Sequence, residues 1–494
     1  LQLAAISMQG RYDLAQFIEG FSGSQRFIMD YLTEEALNRL PGKPQLYLLK
    51  TSILERLCDS LCEFVLSQTG QMVSTPLFMV DEAQFQDEFK SSLAELERTN
   101  LFIVPLDEER KWYRYHHLFA DLLRSRLEQA YPDLVEVLHH RASEWFEKNG
   151  DIQEAIQHTL AARDWDNSSR LITQHLRSYL EIGQMTTVMK WIQDFPLQEL
   201  YSHPMLCLQV AEVYSQGGMI DQIGPLLDAA EYGIERSERQ TEMDDKEPAL
   251  SLSPQDITAI RSMSAILRGL KAVCAYHPQQ ALTITEEARA QIPDMEIKEL
   301  AILLWVQGWA YRSLGNLPLA LSTLTQATDF ARKSGAELRD IWTDLGNVTR
   351  LTGKLTQAAD IFLRSLQIAA IRRIPDQGNL SRDETFLSMI YFQQNRLDAA
   401  FSYATRALEH TQWWPSHNVI ALAHTCLARI FLARKDSDSA RQALQKADQE
   451  RENRLMTPYV HRFVETTWVQ LWLEESDWKR LDEWVEQAAP RSEE

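Results

Sequence analysis

The sequence predicts an all-α protein with one small two-stranded element near its start and a long stack of helical hairpins after it. Three observations predict this. Leu, Ala, Glu, Gln and Arg dominate the 494 residues, while Gly (18) and Pro (17) are sparse, and such proportions favour helix. Alternating apolar and polar runs closed by hairpin turns, the mark of strands, are almost absent. From Tyr131 onward one helical spacing recurs along the chain.

The elements follow in order. Residues 1–20, beginning "LQLAAISMQGRYDL", lack an initiator Met and the basic-then-apolar pattern of a signal peptide. They read as the end of an upstream helix. "SQRFIMDYLTEEALNRLP" reads as an amphipathic helix stopped by Pro41-Gly42. "PQLYLLKTSILERL" reads as a second helix, with Leu46, Leu49, Ile53, Leu54 and Leu57 as its apolar stripe. "FKSSLAELERTNLFIVPLDEERKWYRYHHLFADLLRSRL" then gives helix, strand, turn, strand, helix. Its extended pieces are Leu101–Pro105 and Trp112–Tyr115, joined by the polar "LDEER". Helices followed by a two-stranded wing describe a winged-helix module, spanning residues 21–130.

The repeats come next. "YRSLGNLPLALSTLTQA", "TRLTGKLTQAADIFLRS", "YFQQNRLDAAFSYATRA" and "FLARKDSDSARQALQKA" share a turn position followed by Ala five residues later. The turns are Gly315, Gly353, Asn395 and Lys435; the alanines are Ala320, Ala358, Ala400 and Ala440. Gly150 with Ala155 and Tyr276 with Ala281 are weaker copies, and Gly183, Gly218 and Ser476 fit the turn without the alanine. Gly or Asn can end a helix with positive φ. Ala lets two antiparallel helices approach without losing helix propensity. This is the pattern of tetratricopeptide-like hairpins, which stack into an α-solenoid superhelix. A helical arm and first hairpins are expected over 131–234 and the superhelix over 257–494. Between them "ERSERQTEMDDKEPALSLSPQD", 235–256, is polar, charged and free of aromatics, so it reads as a flexible acidic insertion. The end, "RLDEWVEQAAPRSEE", stops inside a helical pattern, and both ends read as cuts.

Charge and motifs narrow the function. The formal net charge is −20 and the pI about 5.1, which disfavours non-specific binding of nucleic acid by this chain. The five scattered cysteines, Cys58, Cys62, Cys207, Cys274 and Cys426, do not form a disulfide framework, and a reducing cytoplasm fits. Cys58 and Cys62 would share a helix face, which is how a metal site can begin, but no further ligand spacing joins them and packing is the simpler reading. No run approaches twenty apolar residues. The chain has no GxxxxGK[ST] phosphate loop, GxSxG, HExxH, EF-hand loop or GxGxxG, so it is not read as an enzyme.

Two groups of residues stand out. Aromatics crowd the repeats, and Trp342, Tyr391, Trp413 and Trp414 are candidates to line a ligand or partner groove. Hairpin packing is the plainer account for most of them; "HTQWWPSHN" differs in placing Trp413 and Trp414 where a helix should end. The adjacent pair His116 and His117 opens the last helix of the wing. Metal binding there lacks further ligands, and a general base lacks a nucleophile and pocket. Helix capping and packing, or contact with a phosphate, remain.

A resemblance bears on the pair. "LERTNLFIVPLDEERKWYRYHHLFADLLRSRL", "FIMDYLTEEALNRLP…YLLKTSILERLCDSLCEFVL" and "LHHRASEWFEKNGDIQEAIQHTLAARDW" closely resemble the region after the ATPase core in MalT-like, LuxR-family ATP-binding transcriptional regulators, which are signal-transduction ATPases with numerous domains. The match is specific from about Phe21 to Trp165 and architectural beyond. It implies an upstream nucleotide-binding domain, a downstream helix-turn-helix, ATP or ADP in the intact protein with no cofactor for this chain alone, a slow ATPase switch, and self-association on activation. "YHHLFADLL" is also similar to the Met-His-Asp segment of related ATPase switches such as plant resistance proteins. There the histidine contacts the β-phosphate of ADP; His116 stands at that histidine and His117 at the aspartate.

The expectation is therefore the regulatory and sensory part of a cytoplasmic transcriptional activator. An inducer, small molecule or protein, binds the superhelix; DNA is contacted only through the intact protein; no membrane is involved. The alternative is a tetratricopeptide-like scaffold that holds a protein partner and senses no small molecule.

Overall fold

The computed structural model describes residues 42–67, 93–98, 102–243, 252–335, 338–372, 377–411, 416–452 and 457–488. Residues 1–20 and the helix expected over "SQRFIMDYLTEEALNRLP" lie outside these. The chain divides into one unit running to Leu200, apart from Glu181–Gly183, and a second unit holding those three residues and Tyr201 onward.

In the first unit the helix expected over "PQLYLLKTSILERL" is broken. Helix α1 (Gly42–Thr51) stops, and α2 (Asp59–Leu66) starts eight residues later. Two hydroxyls explain the stop. Thr51 Oγ1 donates to Tyr47 O at 2.8 Å and Ser52 Oγ to Leu49 O at 2.7 Å, taking carbonyls of the last turn. Leu57 then exchanges backbone hydrogen bonds with Tyr113 at 2.7 and 2.8 Å, which requires extended backbone. Ile53, Leu54 and Leu57 are buried nonetheless; their spacing reflects a turn folded onto the core.

After α3 (Leu93–Arg98), strands β1 (Ile103–Pro105) and β2 (Tyr113–Tyr115) pair antiparallel, Ile103 with Tyr115 and Pro105 with Tyr113. Both backbone groups of Tyr113 are engaged by Leu57, so Pro105 opposite has no N–H to supply and none is required. The wing tip is tied by Asp107, whose carboxylate accepts the amides of Lys111 and Trp112, each at 2.9 Å; these bonds, the Lys111 amide first, hold its carboxyl below the usual range. Tyr113 and Tyr115 point inward while Arg114 points out. The Tyr115 hydroxyl lies 2.7 Å from Thr51 Oγ1. Thr51 spends its proton on Tyr47 O, so Tyr115 is the donor. Helix α4 (His117–Ala130) follows, with Phe119 packed against Phe102 and Tyr115 at 5.3 and 6.0 Å between ring centres. Then come α5 (Pro132–Lys148), α6 (Ile152–Ala161), α7 (Trp165–Glu181), α8 (Met185–Asp194) and the short α9 (Leu197–Leu200).

The second unit is a run of helical hairpins: α10 (Pro204–Gln216) with α11 (Ile223–Met243), α12 (Pro254–Cys274) with α13 (Pro278–Gln291), α14 (Ile297–Ser313) with α15 (Leu317–Ser334), α16 (Arg339–Leu351) with α17 (Leu355–Arg372), α18 (Gln377–Gln393) with α19 (Leu397–Thr411), α20 (His417–Ala433) with α21 (Ser437–Glu452), and α22 (Pro458–Glu475) with α23 (Trp478–Ala488). Every expected turn residue has positive φ, including the non-glycines Tyr276 (64°), Asn395 (58°), Lys435 (64°) and Ser476 (56°). The turns share one hydrogen-bond pattern. At Asn395, its amide donates to Phe392 O at 2.9 Å and that of Arg396 to Tyr391 O at 2.8 Å, which satisfies the last carbonyls of the first helix. Ala155, Ala281, Ala320, Ala358, Ala400 and Ala440 are all fully buried. At both ends of the expected insertion the chain is helical, while residues 244–251 lie outside the described residues. Glu235–Met243 continues α11, and α12 begins at Pro254 behind a reciprocal cap in which Ser253 Oγ accepts from the Asp256 amide and Asp256 Oδ2 from that of Ser253. Much of the charged stretch is therefore helix surface; Arg239 pairs with Glu235 one turn away at 2.8 Å.

Candidate functional site

The wing and α4 enclose a cleft of about 300 Å³ beside His116. Leu54, Val104 and Ala120 form apolar walls, and Arg114, Arg124, Glu55 and Asp121 bring both charge signs to it. His116 is the N-cap of α4. Its amide donates to Phe102 O at 2.7 Å, and its carbonyl accepts from Phe119 and Ala120 at 2.9 Å. The backbone is thus fixed from both sides, while the imidazole caps nothing. Its Nδ1 is buried without a hydrogen-bond partner among the described residues. Burial, then His117 and Arg114, push its pKa below the usual value, so the ring is neutral at physiological pH. The His117 ring lies beside it, 4.4 Å between centres.

The second adjacent pair separates, as helix geometry requires. His139 Nδ1 meets His158 Nδ1 at 2.7 Å, and His140 Nδ1 meets Asp164 Oδ2 at 2.9 Å. Burial pushes His139 down to about 4 and His158 to about 3. Among the described residues no group of three or more His, Cys, Asp and Glu is placed to hold a metal, and no helix is long and apolar enough to cross a membrane.

The groove candidates are dispersed. Trp342 packs against Ala320, Leu324, Leu345 and Val348, with the Arg332 guanidinium 6.0 Å from its ring. Tyr391 belongs to a different cluster, stacked on Tyr403 at 5.4 Å under Arg396 at 4.6 Å. Trp413 and Trp414 lie outside the described residues.

Sequence reasoning missed a layer of buried charge in the hairpins. Asp383, fully buried, accepts from Thr343 Oγ1 at 2.7 Å and faces Arg339 at 3.4 Å. Asp344 accepts from Trp305 Nε1 at 2.7 Å and Arg312 at 2.9 Å. Arg382 pairs with Asp340, and Arg406 with Glu384, each at 2.5 Å. Burial pushes Asp383 up to about 6 and Glu384 up to about 7. The signal was present in "SRDET", five polar residues in a row; helical periodicity alone places some of them against the neighbouring hairpin.

Comparison with known proteins gives the family context. A model described as the MalT winged helix domain matches residues 33–135, and one described as the MalT-like TPR region matches 255–494. The serine/threonine-protein kinase PknK of Mycobacterium tuberculosis is 32% identical over 211 residues, covering 43% of this chain and 17% of the kinase. The HTH-type transcriptional regulator MalT of Yersinia pestis is 26% identical over 458 residues, covering 91% of this chain and 46% of the regulator. The chain thus spans less than half the length of these curated relatives. A signal transduction ATPase with a tetratricopeptide repeat sensor from Pyrococcus horikoshii is similar at 14% identity and a TM-score of 0.40, over 94% of this chain and 74% of that one.

Proposed function

We propose, from the premise that this chain belongs to the MalT-like regulators whose winged helix domain and TPR region it carries, that it is the switch-and-sensor portion of an ATP-dependent transcriptional regulator. In the resting protein a nucleotide-binding domain closes on the winged-helix module, and His116 donates a hydrogen bond to a phosphate of ADP. An inducer on the superhelix favours the open form, in which nucleotide exchanges, copies self-associate and DNA is bound. The inducer shifts this equilibrium only by its difference in affinity for the two forms.

One observation carries the phosphate contact: Nδ1 of His116 is buried with no partner among the described residues, at the start of a helix. An orphaned buried polar atom costs about 1–3 kcal/mol, and an acceptor arriving with the nucleotide domain removes that cost. The helix N-terminus adds favourable potential for an anion. A neutral imidazole keeps one N–H to donate. Glu55 and Asp121 in the cleft offset Arg114 and Arg124, so local net charge contributes little and the specific hydrogen bond matters more. A reporter gene driven by the intact regulator tests this in cells. His116→Ala should raise expression without inducer; unchanged basal expression at normal protein level contradicts the proposal.

A further inference from the structure

Several arginines of the hairpin layer are neutralised by carboxylates: Arg312 by Asp344, Arg339 by Asp383, Arg382 by Asp340 and Asp344. Two are not. Arg350 is 8% exposed. Its Nη2 reaches only neutral acceptors, Asn347 Oδ1 at 2.8 Å and the Tyr459 hydroxyl at 3.3 Å, and its Nε is buried without a hydrogen bond. Arg429 is half-buried, its guanidinium 4.5 Å from the Phe392 ring and 5.1 Å from that of Phe463. Among the described residues no ion pair joins either to a carboxylate. The two are neighbours: Tyr459, which Arg350 touches, stacks on Phe463, which Arg429 touches, one turn along α22. Burial first, and the Arg350 charge as well, push the Arg429 pKa down.

Two guanidinium groups brought together without an anion repel each other, and the ring faces beside them, Phe386 5.7 Å from Arg350 and Phe392 and Phe463 beside Arg429, offset only part of the desolvation. The chain carries a net charge of −20, so it had ample carboxylates with which to neutralise them. The site joins α16, α18, α20 and α22, the first helices of four successive hairpins, which pack side by side. Tyr459 is 45% exposed, so the site has a route to solvent. The geometry points to a binding site for a small organic oxyanion, held between Arg350 and Arg429 with the Tyr459 hydroxyl as a third donor. Planar guanidinium forks suit phosphoryl and carboxylate groups alike, and the flanking phenyl rings offer apolar contact to the rest of the ligand. Only the ligand's role as inducer rests on the sensor function proposed above; the binding itself does not.

Thermal unfolding of the 494-residue chain tests it, with inorganic phosphate, phenyl phosphate and benzoate as probes at constant ionic strength. At least one should raise Tm saturably, as a ligand that binds only the folded form does; comparing phenyl phosphate with benzoate identifies the group preferred. Arg429→Gln should weaken binding at least tenfold. Tyr459→Phe should weaken it severalfold with the fold intact, and Arg462→Gln, exposed on the same helix, should change nothing. No saturable shift with any of the three, or wild-type responses from both Arg429→Gln and Tyr459→Phe, overturns the site. These assays use neither nucleotide nor DNA, so a negative result leaves the His116 switch untouched.

Discussion

Arg406 extends its guanidinium to within 2.5 Å of Glu384 Oε1, from a half-exposed position onto a carboxylate with no exposed surface. His410 approaches the other oxygen at 3.5 Å. Even so, burial, with the Asp383 and Glu409 charges added to it, outweighs Arg406 and pushes Glu384 up to about 7. Desolvation of the carboxylate wins because the arginine, half in water, is screened.

A pH dependence follows. Glu384 and Asp383 hold their protons more tightly folded than unfolded, since both pKa values are raised. Their contribution to stability is therefore fully present below about pH 4 and is lost as pH rises, through about 6 for Asp383 and about 7 for Glu384. Glu384→Gln should stabilise the fold at pH 8 by on the order of 1–3 kcal/mol, seen as a higher Tm, and change little at pH 5. Equal effects at both pH values in thermal unfolding contradict this.

The wing's attachment rests in part on the Tyr115 hydroxyl, which donates to Thr51 Oγ1 in the core of the first unit. Tyr115→Phe should destabilise that unit by about 1 kcal/mol. The loss stays modest because Thr51 keeps its own bond to Tyr47 O. Urea denaturation followed at the wing tryptophan, Trp112, measures it; a change below a few tenths of a kcal/mol contradicts the assignment.

Gly346 in α16 sits where a Cβ would lie 2.7 Å from the Phe362 ring. Alanine improves helix propensity by roughly 1 kcal/mol, but the overlap costs more. Gly346→Ala should be destabilising by about 1–2 kcal/mol net, and Phe362→Leu in the same chain should recover part of it. A more stable single variant in chemical denaturation contradicts the packing argument.

Lys435 occupies the left-handed region, φ 64°, and its ammonium makes only an exposed pair with Glu474 at 3.3 Å. Relief of backbone strain exceeds the loss of that pair. Lys435→Gly should stabilise the second unit by up to about 1 kcal/mol, measured by thermal unfolding; destabilisation contradicts it.

The hairpin turns were legible because position mattered more than residue type. Asn395, Lys435, Tyr276 and Ser476 were placed by spacing, and the backbone turns left-handed at each. Arg163 makes a further turn, φ 56°, with fully buried Ser168 five residues on. Neither residue advertises a turn, so it went unread. A second regularity was also available. Gly269, Gly308 and Gly346 each stand seven residues before a turn and sixteen before Thr285, Leu324 and Phe362. A Cβ on each would come within 3 Å of that later residue. The break after Thr51 was hidden because Ile53, Leu54 and Leu57 keep helical spacing while the backbone does otherwise. The buried charges of α16 and α18 were hidden for a different reason. Arg339 and Asp383 neutralise each other only across neighbouring hairpins, a relation no local window contains. His116 was legible as a candidate, but its orphaned Nδ1 depends on how α4 meets the wing.

The central claim is the His116 contact with nucleotide phosphate. The most direct measurement is ADP affinity of the intact protein, wild type against His116→Ala, by equilibrium titration. One hydrogen bond to a charged phosphate is worth about 1.5–3 kcal/mol, so the variant should bind ADP roughly tenfold or more weakly, with melting of the winged-helix module unchanged. Equal ADP affinity in the two proteins would contradict the account.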